Sequence, residues 1–201
     1  MVGEVSNGVS GVVLAAGEAK RMGRQKLLLD FKGKPVLLWV LEAALSSDLS
    51  EVVCVVRERS EILREMGSHA ERIHWVTNQN AHDGQSTSLV AGLEALSPRS
   101  GAALFLVGDQ PFMDAQLING IIRLYEKEGA PLVVPVFKGE TRNPVLFARS
   151  LFPELFRLSG DRGAKGLVQK HESDAAFLEW GDESPFLDLD NWRDYERLRF
   201  R

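Results

Sequence analysis

A loop rich in glycine and cations follows the first apolar run of this sequence. Residues 14–26 read Leu-Ala-Ala-Gly-Glu-Ala-Lys-Arg-Met-Gly-Arg-Gln-Lys and contain two glycines and four cations. Glycine lets backbone N–H groups approach phosphate oxygens, and the cations can neutralise them. Five residues separate Gly17 from Gly23 and Arg-Gln follows, so the loop is neither a P-loop nor a G-x-G-x-x-G dinucleotide motif. Its composition indicates either a polyphosphate site or a solvated basic loop with glycine turns.

Two acidic segments are candidates to face this loop. Gly-Asp-Gln-Pro at 108–111 follows an apolar run, and Asp-Leu-Asp-Asn at 188–191 precedes a short terminal helix. Mg²⁺ is commonly held by one or two carboxylates together with substrate phosphates, which such a pairing would provide. The alternative for Asp109 is an Asx turn closed by the proline, and the alternative for Asp188 or Asp190 is a helix N-cap.

Strands alternate with helices along the chain. Short apolar, β-branched runs predict six strands, at Val9–Leu14, Val52–Val56, Ile73–Thr77, Ala102–Val107, Leu132–Val136 and Pro144–Phe147. Apolar residues at three- and four-residue spacing predict helices at Val36–Leu45, Glu58–Met66, Ser88–Leu96, Gln116–Glu128, Ala164–His171 and Asn191–Leu198. This alternation predicts one three-layer α/β domain over residues 1–201 with a mostly parallel sheet. Ligands of such sheets bind at the carboxyl ends of the strands, where both acidic and basic loops are expected.

The overall composition narrows the class of function. The 201 residues are 44% hydrophobic and 26% charged, and 24 Lys and Arg against 28 Asp and Glu give a net charge of -4. This charge argues against binding to nucleic acid or to an acidic membrane. No apolar run approaches the ~18 residues of a membrane span, and the first residues do not resemble a signal peptide, so we expect a cytoplasmic protein. The lone Cys54 lies in an apolar run and the four histidines lack metal-ligand spacing, which argues against zinc and iron–sulfur sites.

Taken together, the loop motifs resemble one enzyme family. The segments that carry the resemblance are Leu14–Lys26, Gly108–Pro111, Arg142–Phe147, Gly160–Lys165 and Asp188–Asp190. Their order and residue types are similar to those of the MobA-like nucleotidyltransferases of molybdenum-cofactor biosynthesis. The molybdenum cofactor cytidylyltransferases, and their relatives among accessory proteins of molybdenum hydroxylases, match best. The resemblance covers nearly the whole chain and implies a Rossmann-like αβα nucleotidyltransferase domain.

The resemblance also implies catalytic and metal-binding roles. Lys26 and Arg21 match the loop cations that contact nucleotide phosphates, and Asp109 matches the aspartate that binds Mg²⁺. The terminal acidic pair matches the segment that supplies a second metal ligand, and the motif leaves open whether this is Asp188 or Asp190. Ala19 departs from the usual serine of the family, and Asn191-Trp192 departs from its usual Thr-Pro pair.

Two further groups of residues are implied as binding residues by the same resemblance. The nucleotide side comprises Leu14, Ala15, Ala16, Gly17, Gly84, Ser86, Ser88 and Gly108, in addition to Arg21 and Lys26. The acceptor side comprises Arg142, Asn143 and Pro144 of the segment Arg142–Phe147, and Gly163 of the segment Gly160–Lys165.

The resemblance favours CTP as the nucleotide. In this fold Ala15-Ala16 accompanies cytidine enzymes, whereas guanylyl enzymes usually have Gly-Gly, because a methyl group removes room that a purine would use. The expected reaction is transfer of CMP to the phosphate of molybdenum-molybdopterin, with a molybdenum hydroxylase apoenzyme as a further partner. The alternatives are a GTP-using or sugar-phosphate nucleotidyltransferase and a non-catalytic protein that holds the finished cofactor for the hydroxylase.

Overall fold

Apolar runs that do not alternate with polar residues form a central sheet covered on both faces. The computed structural model describes residues 8–17, 26–58, 62, 71–160 and 164–201. Its strands are, in chain order, β1 (Val9–Ala15), β2 (Asp30–Phe31), β3 (Lys34–Pro35), β4 (Glu51–Val56), β5 (His74–Thr77), β6 (Ala102–Val107), β7 (Leu132–Phe137), β8 (Glu140–Thr141), β9 (Val145–Ala148) and β10 (Ala175–Glu179). The main sheet has the order β10-β7-β9-β6-β1-β4-β5, β8 pairs with β7, and β2 and β3 form a separate pair.

The expected mostly parallel sheet is confirmed, with one informative exception. β1 pairs in parallel with both β4 and β6, and β4 pairs in parallel with β5. β9 runs antiparallel to both of its neighbours, β6 and β7. The six predicted strands all form, but β10 was not predicted. It is an edge strand with an exposed Phe177 and a terminal glutamate, so its apolar pattern is weak.

Helices cover both faces of this sheet. They are α1 (Val36–Leu45), α2 (Gln85–Glu94), α3 (Ala115–Glu128), α4 (Phe152–Leu155), α5 (Lys165–Lys170) and α6 (Trp192–Arg199), with 3₁₀ turns at Lys26–Leu28, Ala81–Asp83, Arg149–Leu151, Glu172–Asp174 and Ser184–Phe186. The start of α3 follows the N-cap rule, because Asp114 Oδ1 accepts a hydrogen bond from Leu117 N at 2.7 Å. The predicted helix at Glu58–Met66 lies almost wholly outside the described residues.

Two apolar cores hold the three layers together. Val13 of β1 packs with Leu41 of α1 and Ile121 of α3 on one face. On the other face, the neighbouring Val12 packs with Leu89 of α2. Successive residues of a strand point to opposite faces, so a fully apolar strand can contribute to both cores. The described helices include none with the length and hydrophobicity needed to cross a membrane.

Candidate active site

The glycine-rich segment after β1 and the Gly108–Pro111 segment after β6 begin side by side. β1 and β6 are parallel neighbours, with Leu14 opposite Val107, so both strands end at the same edge of the sheet. Gly108 N donates to Leu14 O at 3.0 Å. A Cβ on Gly108 would lie 3.1 Å from that carbonyl oxygen and 3.1 Å from Leu37 Cδ1. The absence of a side chain at Gly108 therefore favours the close approach of the two loops.

Lys26 joins two carboxylates at this edge of the sheet. Its Nζ lies 2.7 Å from Asp109 Oδ2 and 3.5 Å from Asp190 Oδ1. The side chains of Lys26 and Asp109 are 16% and 24% exposed, whereas that of Asp190 is 56% exposed. The site thus combines a shielded ion pair with a second carboxylate that is open to solvent.

The terminal acidic segment is fixed in place by its backbone. Leu189 is 1% exposed, and its N–H donates to the carbonyl oxygen of Asp109 at 3.0 Å. Asn191 is the N-cap of α6, since its Oδ1 accepts a hydrogen bond from Asp194 N at 3.1 Å. The capping role considered for the two aspartates therefore belongs to Asn191.

Asp188 and Asp190 reach different partners. Asp188 Oδ1 accepts a hydrogen bond from Gln110 Nε2 at 2.9 Å, whereas Asp190 contacts Lys26. Desolvation, and then the negative charge of Asp109, raise the pKa of Asp188 to about 6, although part of this residue remains exposed at the rim of the site. Asp188 and Asp190 are only two positions apart, but their carboxylates have different partners and different surroundings.

The residues proposed for the nucleotide side are mostly buried. Ala15 and Ala16 are 4% and 2% exposed and belong to the cores on opposite faces of the sheet, whereas Gly17 is exposed. The methyl groups of Ala15 and Ala16 therefore lie in the protein interior. Arg21 lies outside the described residues.

The loop before α2 is organised by a residue that the sequence analysis missed. Asn78 is 5% exposed, and its Nδ2 donates to Thr87 Oγ1 at 2.9 Å and to Ser88 Oγ at 3.0 Å. Gly84 has a φ of 115°, which allows the sharp entry into α2, and Ser86 is buried. The helix therefore begins at Gln85 instead of the predicted Ser88. An asparagine directly after a strand was the available signal.

A cavity of about 340 Å³ lies beside the charged cluster. Two residues of the predicted acceptor side, Arg142 and Asn143, line it, together with Gln110 and Asp188. Pro144 is buried directly before β9 and follows a cis peptide bond, and Gly163 lies outside the described residues. Leu14 and Lys165 also line this cavity, so its lining includes residues of all five sequence motifs.

The donor set is compatible with a divalent cation that also binds substrate phosphates. The described ranges contain no group of three or more His, Cys, Asp or Glu able to hold a metal by themselves. Asp109 and Asp190 both contact one ammonium group, so a cation already occupies the space between them. Mg²⁺ typically binds through one or two carboxylates and completes its shell with water and phosphate, which fits this pair.

Comparisons with known proteins identify the family. The model of the MobA-like NTP transferase domain matches residues 11–175. The purine catabolism protein PucB of Bacillus subtilis is 33% identical over 197 residues, which cover 94% of this chain and 95% of PucB. A probable molybdenum cofactor guanylyltransferase of Thermococcus kodakarensis is 27% identical over 94% of this chain and 92% of its own. The solved structure of Rv0371c from Mycobacterium tuberculosis in complex with manganese has 27% identity and a TM-score of 0.79, covering 96% of this chain and 98% of that chain. This chain therefore belongs to the MobA-like NTP transferase family and is a nucleotidyltransferase of Rossmann-like α/β fold.

Proposed function

We propose that this protein transfers CMP from CTP to the phosphate of molybdenum-molybdopterin in the cytoplasm and releases pyrophosphate. The observation that carries the proposal is the contact of Lys26 with Asp109 and Asp190 beside a cavity lined by Arg142 and Asn143. A cation that can bind phosphate, two carboxylates that can hold a metal ion and a cavity for the acceptor are parts that nucleotidyl transfer would use.

The acceptor needs little activation. A phosphate monoester has a second pKa of about 6, so it is already a dianion near neutral pH and can attack without a strong general base. Its oxygen forms a bond to the α-phosphorus of CTP, and the bond from that phosphorus to the β-phosphate oxygen breaks. Lys26 stabilises the charge that builds up on the phosphate oxygens. Arg21 is the second loop cation proposed for this role.

Asp109 and Asp190 are the residues proposed to hold Mg²⁺. When bound, this ion would neutralise charge on the phosphate oxygens as a Lewis acid. The manganese in the Rv0371c structure supports a divalent metal in this family. The role of the two carboxylates is to supply negative charge at a fixed position, which Asp109 achieves through the backbone contact of its carbonyl with Leu189.

The choice of CTP as the nucleotide is the most specific part of the proposal. It rests on the resemblance of Ala15-Ala16 to the alanine pair of the cytidine enzymes, and the methyl groups of both residues are buried in the two cores. Gly84, Ser86 and Ser88 are proposed to border the base. One relative of this chain is named as a probable molybdenum cofactor guanylyltransferase, so GTP is the principal alternative nucleotide.

The test is product identification with a matched set of nucleotides. The protein is incubated with Mg²⁺ or Mn²⁺, with CTP, GTP, ATP or UTP, and with either molybdenum-loaded molybdopterin or a sugar phosphate as the acceptor, each in a separate reaction. Binding of a finished dinucleotide cofactor is measured in parallel. We expect pyrophosphate release and a cytosine dinucleotide by mass spectrometry, with no release when the acceptor is omitted. Formation of a guanine dinucleotide would show that the nucleotide is GTP and not CTP. Turnover only with sugar phosphates would show that the acceptor is a sugar phosphate and not molybdopterin. Tight binding of a finished dinucleotide cofactor without any turnover would favour a carrier for the hydroxylase.

A further inference from the structure

Asn78 lies at the edge of the sheet where the candidate active site is found. Ala15 is opposite Val56 in the pairing of β1 with β4, and Val56 is opposite Thr77 in the pairing of β4 with β5. Asn78 follows β5, so it is two strands, or about 10 Å, away from the end of β1. The loop of residues 78–84 therefore begins at the carboxyl ends of the strands, where α/β sheets bind their ligands.

The buried amide of Asn78 joins this loop to the first turn of α2. Its Nδ2 donates to Thr87 Oγ1 at 2.9 Å and to Ser88 Oγ at 3.0 Å. Its Oδ1 accepts a hydrogen bond from Asn80 N at 2.9 Å. A side-chain amide combines two N–H donors with an acceptor oxygen on one group, and all three are used here.

Thr87 extends the network to Gly84. Thr87 Oγ1 lies 2.8 Å from Gly84 O and 3.0 Å from Asn80 O, and its hydrogen is shared between these two carbonyl oxygens. Gln85, the residue after Gly84, is exposed and lines the cavity beside the charged cluster. The network thus fixes the loop from the protein interior, while the same turn of the chain reaches the site.

Such a network affects the cost of binding. Gly84 has a φ of 115°, and a glycine gives a loop more backbone freedom than any other residue. A ligand that must first order a loop loses affinity to the entropy of ordering, whereas a loop already held in its bound conformation avoids this loss. The hydrogen bonds of Asn78 and Thr87 restrict the loop before a ligand arrives.

We propose that Asn78, acting through Thr87, is a positioning residue that fixes the Gly84–Ser88 segment for contact with the base of the nucleotide. The inference rests on the proposed function, since it takes this segment to border the base. Breaking the network should therefore weaken binding of the nucleoside part of the substrate and leave binding of its phosphates unchanged.

Binding of CTP compared with binding of inorganic tripolyphosphate tests this inference, because only CTP has a base. Titration calorimetry of the full chain with Mg²⁺ should show an affinity for CTP about tenfold lower in Asn78→Ala and in Thr87→Val. The affinity for tripolyphosphate should stay within about twofold of wild type. Valine keeps the branched shape of threonine without the hydroxyl, whereas Thr87→Ser keeps the hydroxyl and should bind CTP like wild type.

The matched control is Asn119→Ala, which removes an amide that accepts a hydrogen bond from Asp48 N. It should change neither affinity. In the transfer reaction, Thr87→Val should raise the KM for the nucleotide about tenfold, with kcat and the KM for the acceptor within about twofold of wild type. If Asn78→Ala does not fold, the pair Thr87→Val and Thr87→Ser decides the question.

Three results would overturn the inference. Unchanged affinity for CTP in Thr87→Val would show that the network does not act on the nucleotide. An equal loss for CTP and tripolyphosphate would show that its role is only structural. Wild-type binding of CTP no tighter than that of tripolyphosphate would show that the base is not recognised. Failure of the proposed function would appear differently, as selective nucleotide binding without transfer, or as a preference for GTP, which would then replace CTP in the same comparison.

Discussion

The N–H of Leu189 donates to the carbonyl oxygen of Asp109 at 3.0 Å, which ties the C-terminal segment to the loop after β6. Because Leu189 is buried, the aspartates on either side of it are held at the site but reach different partners. Asp190 contacts Lys26, and Asp188 contacts Gln110. One backbone hydrogen bond thus organises both the charged cluster and the cavity wall.

Lys26→Met should lower the rate of transfer by about 10²-fold or more, since one preorganised electrostatic contact to a reacting phosphate has this value. Methionine keeps the apolar stem but removes the charge that is shared by Asp109 and Asp190. Loss of the ion pair should cost about 1 kcal/mol, or ~2–4 °C in Tm. Steady-state kinetics and thermal unfolding measure the two effects.

The matched control for Lys26 is Lys170→Met, which removes a lysine from the ion pair with Glu154. It should leave turnover unchanged. If the Lys26 variant turns over at a normal rate with an intact fold, Lys26 is only a structural counter-ion for the carboxylates.

Base choice should change when the loop after β1 is opened. The double variant Ala15→Gly, Ala16→Gly should raise the rate with GTP relative to CTP, because it removes two methyl groups and frees the backbone. It should also lower stability, since both side chains are buried and a buried methyl contributes about 0.8 kcal/mol. The ratio of kcat/KM for the two nucleotides is the measurement.

Ala103→Gly is the control for this change, because it removes a buried methyl from β6, at the opposite end of the strand from the site. It should destabilise the protein without altering the nucleotide ratio. An unchanged ratio in the double variant would locate base selection elsewhere, for example in the loop of Gly84 and Ser88.

Asp188 should make stability depend on pH in the protein without metal. The pKa of its carboxyl is raised from 3.8 to about 6, so the folded protein retains a proton that the unfolded chain has already lost. The contribution of this group to stability therefore falls as the pH rises from about 4 to 6, and it levels off above that window. Relative to wild type, Asp188→Asn should gain Tm over this window.

The comparison is made in EDTA, with Glu179→Gln as a control on an exposed strand position. The difference in Tm between wild type and the control should stay constant with pH. A constant difference for Asp188→Asn as well would mean that this carboxyl titrates at its ordinary pKa.

The fold was largely predictable from the sequence because its main determinants are local. Apolar runs of β-branched residues predicted β1 and β6, and the periodicity of residues 36–45 predicted α1 with its observed bounds. β10 escaped prediction because an edge strand buries only part of its surface. The antiparallel direction of β9 could not be read from its composition, since strand direction depends on the path of the connections.

The candidate site was predictable in its residue types but not in its contacts. Asp109 and Lys26 stood out because carboxylates and cations in strand-end loops suggest phosphate chemistry. Their pairing across 83 positions of sequence depends on the register of β1 against β6. The division of Asp188 from Asp190 and the buried amide of Gln110 depend on the path of the terminal segment, for which the sequence carries no signal.

Asp109 and Asp190 should act as a unit. Asp190→Asn should lower the rate of transfer strongly, and adding it to Asp109→Asn should lower the rate little further, because residues that serve one metal give non-additive losses. The rates of the two single variants and the double variant provide the test. Losses that multiply would show that the two carboxylates act independently.

The rate of nucleotidyl transfer by Asp109→Asn, measured together with its Tm, tests whether Asp109 holds the catalytic metal. Asparagine keeps the shape of the side chain and removes the charge that pairs with Lys26. If Asp109 is the anionic ligand of the catalytic metal, transfer from CTP to the acceptor should be nearly abolished while the Tm stays close to that of wild type. Full transfer activity accompanied by a large fall in Tm would contradict the account and identify Asp109 as a structural residue of the loop.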